Sequence, residues 1–128
     1  MKKFILAVIA VFAAFWCLDF FIHGVLLTKA YEETAHLWRP FPEMKTGLAI
    51  ACTFVFSLVF VWIYTLLAKK GIKAGLLFGL LLGIMHGFGM GFGSYASMPI
   101  TLTIAWAWFL GSVIEMTFAG LIAGVIIK

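Results

Sequence analysis

Four ionisable residues interrupt the apolar stretches of this chain: Asp19, His23, His86 and Glu115. A charged group at the centre of a membrane span costs about 2.5–3.5 kcal/mol on insertion scales, so each needs a partner or a role. Asp19 and His23 lie four residues apart and share one helix face. Counting helix rise from the span ends puts Glu115 near the midplane. Asp19 and His86 fall slightly outward of it, and His23 near the outer interface. Packed helices are expected to bring Asp19, His86 and Glu115 together in the outer half of a bundle.

Three kinds of chemistry suit this set. The groups can satisfy one another and hold helices together, at about 0.6–2 kcal/mol per contact. Glu115, with His86 and Asp19, can exchange a proton for a cation or another substrate. Asp19, His23, His86 and Glu115 can also form a mixed nitrogen–oxygen ligand set for a metal, or His23 and His86 the axial ligands of a haem. No span carries a paired-histidine motif. No metal or cofactor is therefore expected, and His23 and His86 are the residues to which one would attach.

Other patterns point less far. Glu33-x-x-His36 matches the spacing of di-iron carboxylate bundles, but no second copy accompanies it. Met85, Met90 and Met98 near His86 offer the thioethers that Cu(I) prefers, at spacings that also suit packing. Arg39 can meet a lipid phosphate or Glu43. There is no nucleophile–base pair, phosphate loop or zinc-protease motif, and no enzyme is expected.

The elements that must position these residues follow from composition. The chain is 65% hydrophobic and 11% charged over 128 residues, against roughly 45–50% apolar for a soluble domain. A span needs about 20 apolar residues. Four such segments, about 4–27, 46–68, 72–93 and 102–127, nearly exhaust the chain and leave a single four-span membrane domain over 1–128. The expected fold is an all-α, up-down-up-down four-helix bundle in the membrane. A short interfacial helix within KAYEETAHLW should join spans 1 and 2, with Tyr31 and Trp38 as headgroup-level anchors. Lys2 and Lys3 precede an apolar run too long for a signal peptide, so an uncleaved first span is expected. Cys17 and Cys52 fall inside apolar segments and are expected to be buried, reduced thiols.

Orientation rests on Lys and Arg. Six (Lys2, Lys3, Lys69, Lys70, Lys73, Lys128) lie on the side of the termini, against three (Lys29, Arg39, Lys45) on the other. The positive-inside rule then puts both termini in the cytoplasm. The net charge of +4 reflects this flanking and points to the bilayer as partner, not to nucleic acid.

Span 3 has glycine at every fourth position: Gly71, Gly75, Gly79, Gly83, Gly87 and Gly91. Small residues let helix backbones approach in lipid, and span 3 is expected to lie closely against span 4. That span carries one small track at Ala107, Gly111, Ala119 and Ala123, with Glu115 between, and a second ending in Gly120 and Gly124. A four-residue stripe drifts roughly 40° per step, so the inner and outer halves of span 3 are expected either to meet different neighbours or to cross one partner at a right-handed angle.

Asp19-x-x-x-His23-Gly24-x-Leu26-Leu27, Tyr31 and Leu37-Trp38-Arg39-Pro40 form a pattern with Gly79-x-x-x-Gly83, Tyr95, Pro99, Trp108, Glu115 and Gly120-x-x-x-Gly124. As a set it resembles small bacterial four-span inner-membrane proteins of the domain-of-unknown-function type. The resemblance implies four spans in a bacterial inner membrane and brings no activity or cofactor. The expected function is a non-enzymatic accessory subunit, forming a homo-oligomer or joining a larger membrane complex. The alternatives are a proton- or cation-coupled carrier or channel using the Asp/His/Glu cluster, and a haem- or metal-binding subunit.

Overall fold

A computed structural model describes residues 1–128. The chain is helical without strands, and four helical stretches are long and apolar enough to cross a membrane: Lys2–Leu26, Thr46–Leu66, Ile72–Ser97 and Leu102–Ile126. Helix α1 (Lys2–Phe21) passes into a π-helical turn, Ile22–Leu26, in which Leu27 N–H donates to Ile22 O at 2.9 Å. Thr28 Oγ1 donates to Gly24 O at 2.8 Å, tying the start of the next helix to that turn. A short α2 (Thr28–Glu33) and two 3-10 turns, Ala35–Leu37 and Phe41–Glu43, lead to α3 (Thr46–Leu66). The segment expected as one interfacial helix is thus two pieces, broken at Thr34. The buried Thr34 hydroxyl donates to Ala30 O and accepts from Trp38 Nε1.

The turn into α4 (Ile72–Phe88) depends on Gly71, whose φ of 101° suits glycine and few other residues. Its N–H donates to the Tyr64 hydroxyl at 2.9 Å, and that hydroxyl donates to Gly71 O at 3.1 Å. Tyr64 is fully buried, so it anchors the turn to the bundle. Helix α4 continues through a second π turn, Gly89–Gly93, into α5 (Ser94–Ser97). Span 3 therefore ends at Ser97 and not Gly93; Ser94–Ser97, beyond the expected end of the span, stays helical until Pro99 approaches. Helix α6 (Leu102–Ile126) is capped by Thr101 Oγ1, which accepts from Ile104 N–H at 3.2 Å.

The closest packing lies between α4 and α6, which run antiparallel with their backbones in contact. A Cβ added at Gly75 would fall on Gly120 O, and one at Gly79 on Met116 O. At Gly83 it would stand 2.8 Å from Val113 Cα, and at Gly87 2.7 Å from Phe109 O. At Gly91 it would strike Ala105 O. One partner therefore takes the stripe from Gly75 to Gly91, and its two halves do not diverge to different neighbours. Helix α6 presents its own four-residue row to that stripe. Two such rows drift in the same sense, which lets the helices stay together by crossing ridge into groove. The contact uses the Gly120–Gly124 track. Gly111, on the other track, instead faces Ile22 of the first span at 3.4 Å, and Ala119 joins the core against α1.

The apolar core has a larger part in one half of the bundle and a smaller one in the other, where Ile100, Ile104 and Ala105 pack with Tyr31, Trp38 and Trp108. In the larger part, Ala7, Val8, Val11 and Phe15 meet Phe60 and Val61 of α3 and Met116 and Ala119 of α6. Helix α3 leans on α1 and reaches α4 through rings, with Phe60 and Phe78 centroids 4.9 Å apart. Cys17 and Cys52 are free, as expected, but exposed on the outer surface. Their helices are apolar on every side, so an apolar position need not face inward. The exposed surface of all four long helices is rich in Leu, Ile, Val and Phe, as a lipid-facing surface requires.

Gly79→Ala is expected to destabilise the bundle by about 1–3 kcal/mol through overpacking. Gly93→Ala, where a Cβ meets nothing within 4 Å, should be neutral or slightly stabilising. Thermal unfolding in detergent compares the two, and equal midpoints would contradict backbone contact at Gly79.

Candidate functional site

The half of the bundle away from the larger apolar cluster opens into a cleft of about 980 Å³. Its walls are the end of α1 with its π turn, α2 and the following loop, the end of α4, and the first half of α6. Both π turns border it, through His23 and Gly24 on one side and Met90 on the other. A π turn shifts the register of the residues beyond it, which re-aims side chains at a site.

Asp19, His23 and Glu115 converge here, each offering one ligand atom, with all three atoms within 4.8 Å of one another. Asp19 and His23 come from one helical stretch, four residues apart. His23 Nε2 lies 3.7 Å from Asp19 Oδ1, slightly beyond a good hydrogen bond. Glu115 reaches across from α6. Its Oε1 is shielded from solvent and has no hydrogen-bond partner. A buried carboxylate oxygen in that state calls for a proton, a cation or water. His86 lines the same cleft but stands outside the three-residue cluster, its ring 5.6 Å from that of Phe56. Its Nδ1 is likewise shielded and without a partner. The expected meeting of Asp19 with Glu115 is seen; the third member within reach is His23, while His86 sits along the wall.

No known protein-family model, curated protein or solved structure matches this chain. Its chemistry must therefore be read from the site itself.

The aromatic residues of the cleft do more than anchor the chain. The Tyr31 hydroxyl lies 2.5 Å from His23 Nδ1, and Trp108 Nε1 donates to the same hydroxyl at 2.7 Å. Indole N–H can only donate, so the phenol oxygen accepts from Trp108 and keeps its own hydrogen for His23 Nδ1. In that arrangement His23 is neutral and its Nε2–H faces Asp19. The hydroxyl has a second lone pair, so it can equally accept from Nδ1–H when Nε2 is needed as a ligand. The His23 and Tyr31 rings lie nearly in one plane, 17° from parallel with centroids 5.9 Å apart, so the phenol meets the imidazole end to end. Trp38 packs against both Tyr31 and Trp108, with centroids 5.6 and 5.9 Å away. A row of groups thus runs from Trp108 through Tyr31 and His23 to Asp19 and Glu115.

Tyr31 and Trp38 were expected as interfacial anchors, and their service to His23, together with Trp108, was not anticipated. One signal existed: Tyr31 follows His23 by eight residues across Gly24, close enough for a chain that turns there. Glu33 and His36 are exposed and apart from the cluster, so no di-iron arrangement forms. Of the three methionines, Met90 lines the cleft, whereas Met85 is 68% exposed.

Burial holds the Tyr31 phenol above its ordinary 10.0, with the Trp108 hydrogen bond opposing and the charge of Asp19 adding to the rise. A raised folded value contributes stability that is full below the unfolded value and is lost as pH climbs through the folded one. The protein should therefore lose stability above about pH 10, and Tyr31→Phe should remove part of that loss. Thermal unfolding between pH 8 and 11.5 measures it; an unchanged alkaline slope in the variant would contradict it.

Proposed function

We propose that this chain is a small multi-pass carrier or channel that takes a cation, the proton included, to a site formed by Asp19, His23 and Glu115. One observation carries this reading. Two carboxylates from separate membrane-length helices converge with a histidine at the edge of a 980 Å³ cleft, and one carboxylate oxygen there lacks any partner. Intramembrane carboxylates placed on a cavity are the usual means of carrying ions and protons across lipid. The larger apolar cluster closes the other half of the bundle, as a protein that must not leak requires.

We place the chain in a bacterial inner membrane as an up-down-up-down bundle with both termini cytoplasmic. The excess of Lys on the side of the termini supports this. The cleft then faces outward, and α2 with its following loop lies at the outer interface. The sequence resemblance to small four-span inner-membrane proteins agrees with the same placement.

A second reading, a non-enzymatic subunit of a homo-oligomer or a larger membrane assembly, is favoured by α3. Residues 46–52 are exposed and leave the first turns of that helix with no neighbour. The same experiment separates the two. In proteoliposomes loaded with pH- and cation-sensitive dyes, the wild type should support flux. Glu115→Gln and Asp19→Asn should lower it at least 10-fold, while His36→Gln leaves it unchanged. No flux of protons or of monovalent or divalent cations would end the carrier reading and leave the subunit reading standing.

A further inference from the structure

We propose that Asp19, His23 and Glu115 bind one divalent first-row transition-metal ion of the zinc or manganese type. As the identity of a transported cation this rests on the carrier reading above; as a binding site it stands on its own geometry.

The spacing of the ligand atoms is the first argument. His23 Nε2 and Asp19 Oδ1 are 3.7 Å apart. An ion about 2.1 Å from each would see them at an angle of about 120°, within the range of ordinary coordination. An ammonium about 2.8 Å from each would see them at about 80°, narrower than the angle between its N–H bonds. Glu115 lies within 4.8 Å of both, so a small side-chain rotation closes a three-ligand face. The cleft leaves the remaining positions to water.

Charge and donor type agree. Two carboxylates and a neutral imidazole carry a formal charge of −2, matched to a divalent ion. Oxygen and nitrogen donors without thiolate select Zn²⁺, Mn²⁺, Fe²⁺ or Co²⁺ over Cu(I). Both cysteines are exposed elsewhere, and Met44 and Met90 are the methionines that line the cleft. The unpartnered Glu115 Oε1 is the atom such an ion would satisfy.

The most telling feature lies behind the ligands. A histidine that binds metal through one nitrogen is normally held at the other by a hydrogen bond that sets its tautomer and ring orientation. Here Tyr31 meets His23 Nδ1, its ring lies nearly coplanar with the imidazole, and Trp108 fixes the hydroxyl from behind. Tyr31 is a positioning residue: with metal present, its oxygen accepts from Nδ1–H and leaves Nε2 as the ligand. A purely structural Asp–His pair would need no such support.

The test uses the full-length protein in detergent, purified through a tag without histidines. Zinc binding is followed by competition with a chromophoric chelator, and Co²⁺ binding by its d–d absorption. One zinc per chain is expected, with affinity falling at least 100-fold in Glu115→Gln and in His23→Gln. Tyr31→Phe should lose about 10–100-fold, and His36→Gln nothing. Should the site variants fail to fold, wild-type Co²⁺ decides alone: bands distinct from the hexa-aqua ion support the site, and an aqua-like spectrum overturns it. Absence of zinc binding, or equal binding in folded Glu115→Gln and His23→Gln, also overturns it. Zinc binding without flux would end the carrier reading and leave the metal site. Flux without zinc binding would do the reverse.

Discussion

The structure depends on the direct contact of two helix backbones. Between α4 and α6 there is no room for even a methyl group at Gly75, Gly79 or Gly91. Such contact is costly to arrange in water, where interior glycine weakens a helix by about 1 kcal/mol relative to alanine. In lipid, burial of apolar side chains brings no gain between helices, and close van der Waals packing takes over as the adhesive. Because α4 and α6 adhere along their length, the remaining two long helices need not fill every gap. They close the core in one half and stand away in the other. The cleft is the space that this asymmetry leaves.

That space can hold polar groups because it is not lipid. Asp19, His23 and Glu115 line a common cavity, and three aromatic residues shield and orient the histidine. Both π-helical turns lie beside the cleft. In each, the helix gives up regular hydrogen bonding where a side chain must be aimed or the wall must bend, and the rest of the span stays regular.

Much of the architecture could be read in advance, for identifiable reasons. Four apolar stretches of membrane length do form four long helices, and a glycine every fourth residue has little use except close contact. The pairing of Asp19 with His23 follows from helix period. The errors share a cause. Cys17 and Cys52 were expected inside and are exposed; they, and the two alternatives left open for the small tracks on α6 and for the partners of the glycine stripe, turn on which helix face points inward. In a chain apolar on every face, hydrophobicity does not distinguish lipid from core.

What the sequence determined by itself is thus the set of helices, their approximate ends and the close contact between the last two. These depend on local period and length. The tertiary structure decided the directions. It turned Gly120 to α4 and Gly111 to α1, and set His86 against Phe56, outside the cluster. It also brought Trp108 to Tyr31 across 77 residues of chain. Helix rotation about the long axis and the register shift at a π turn are settled by packing against neighbours, and no periodicity within one segment records them.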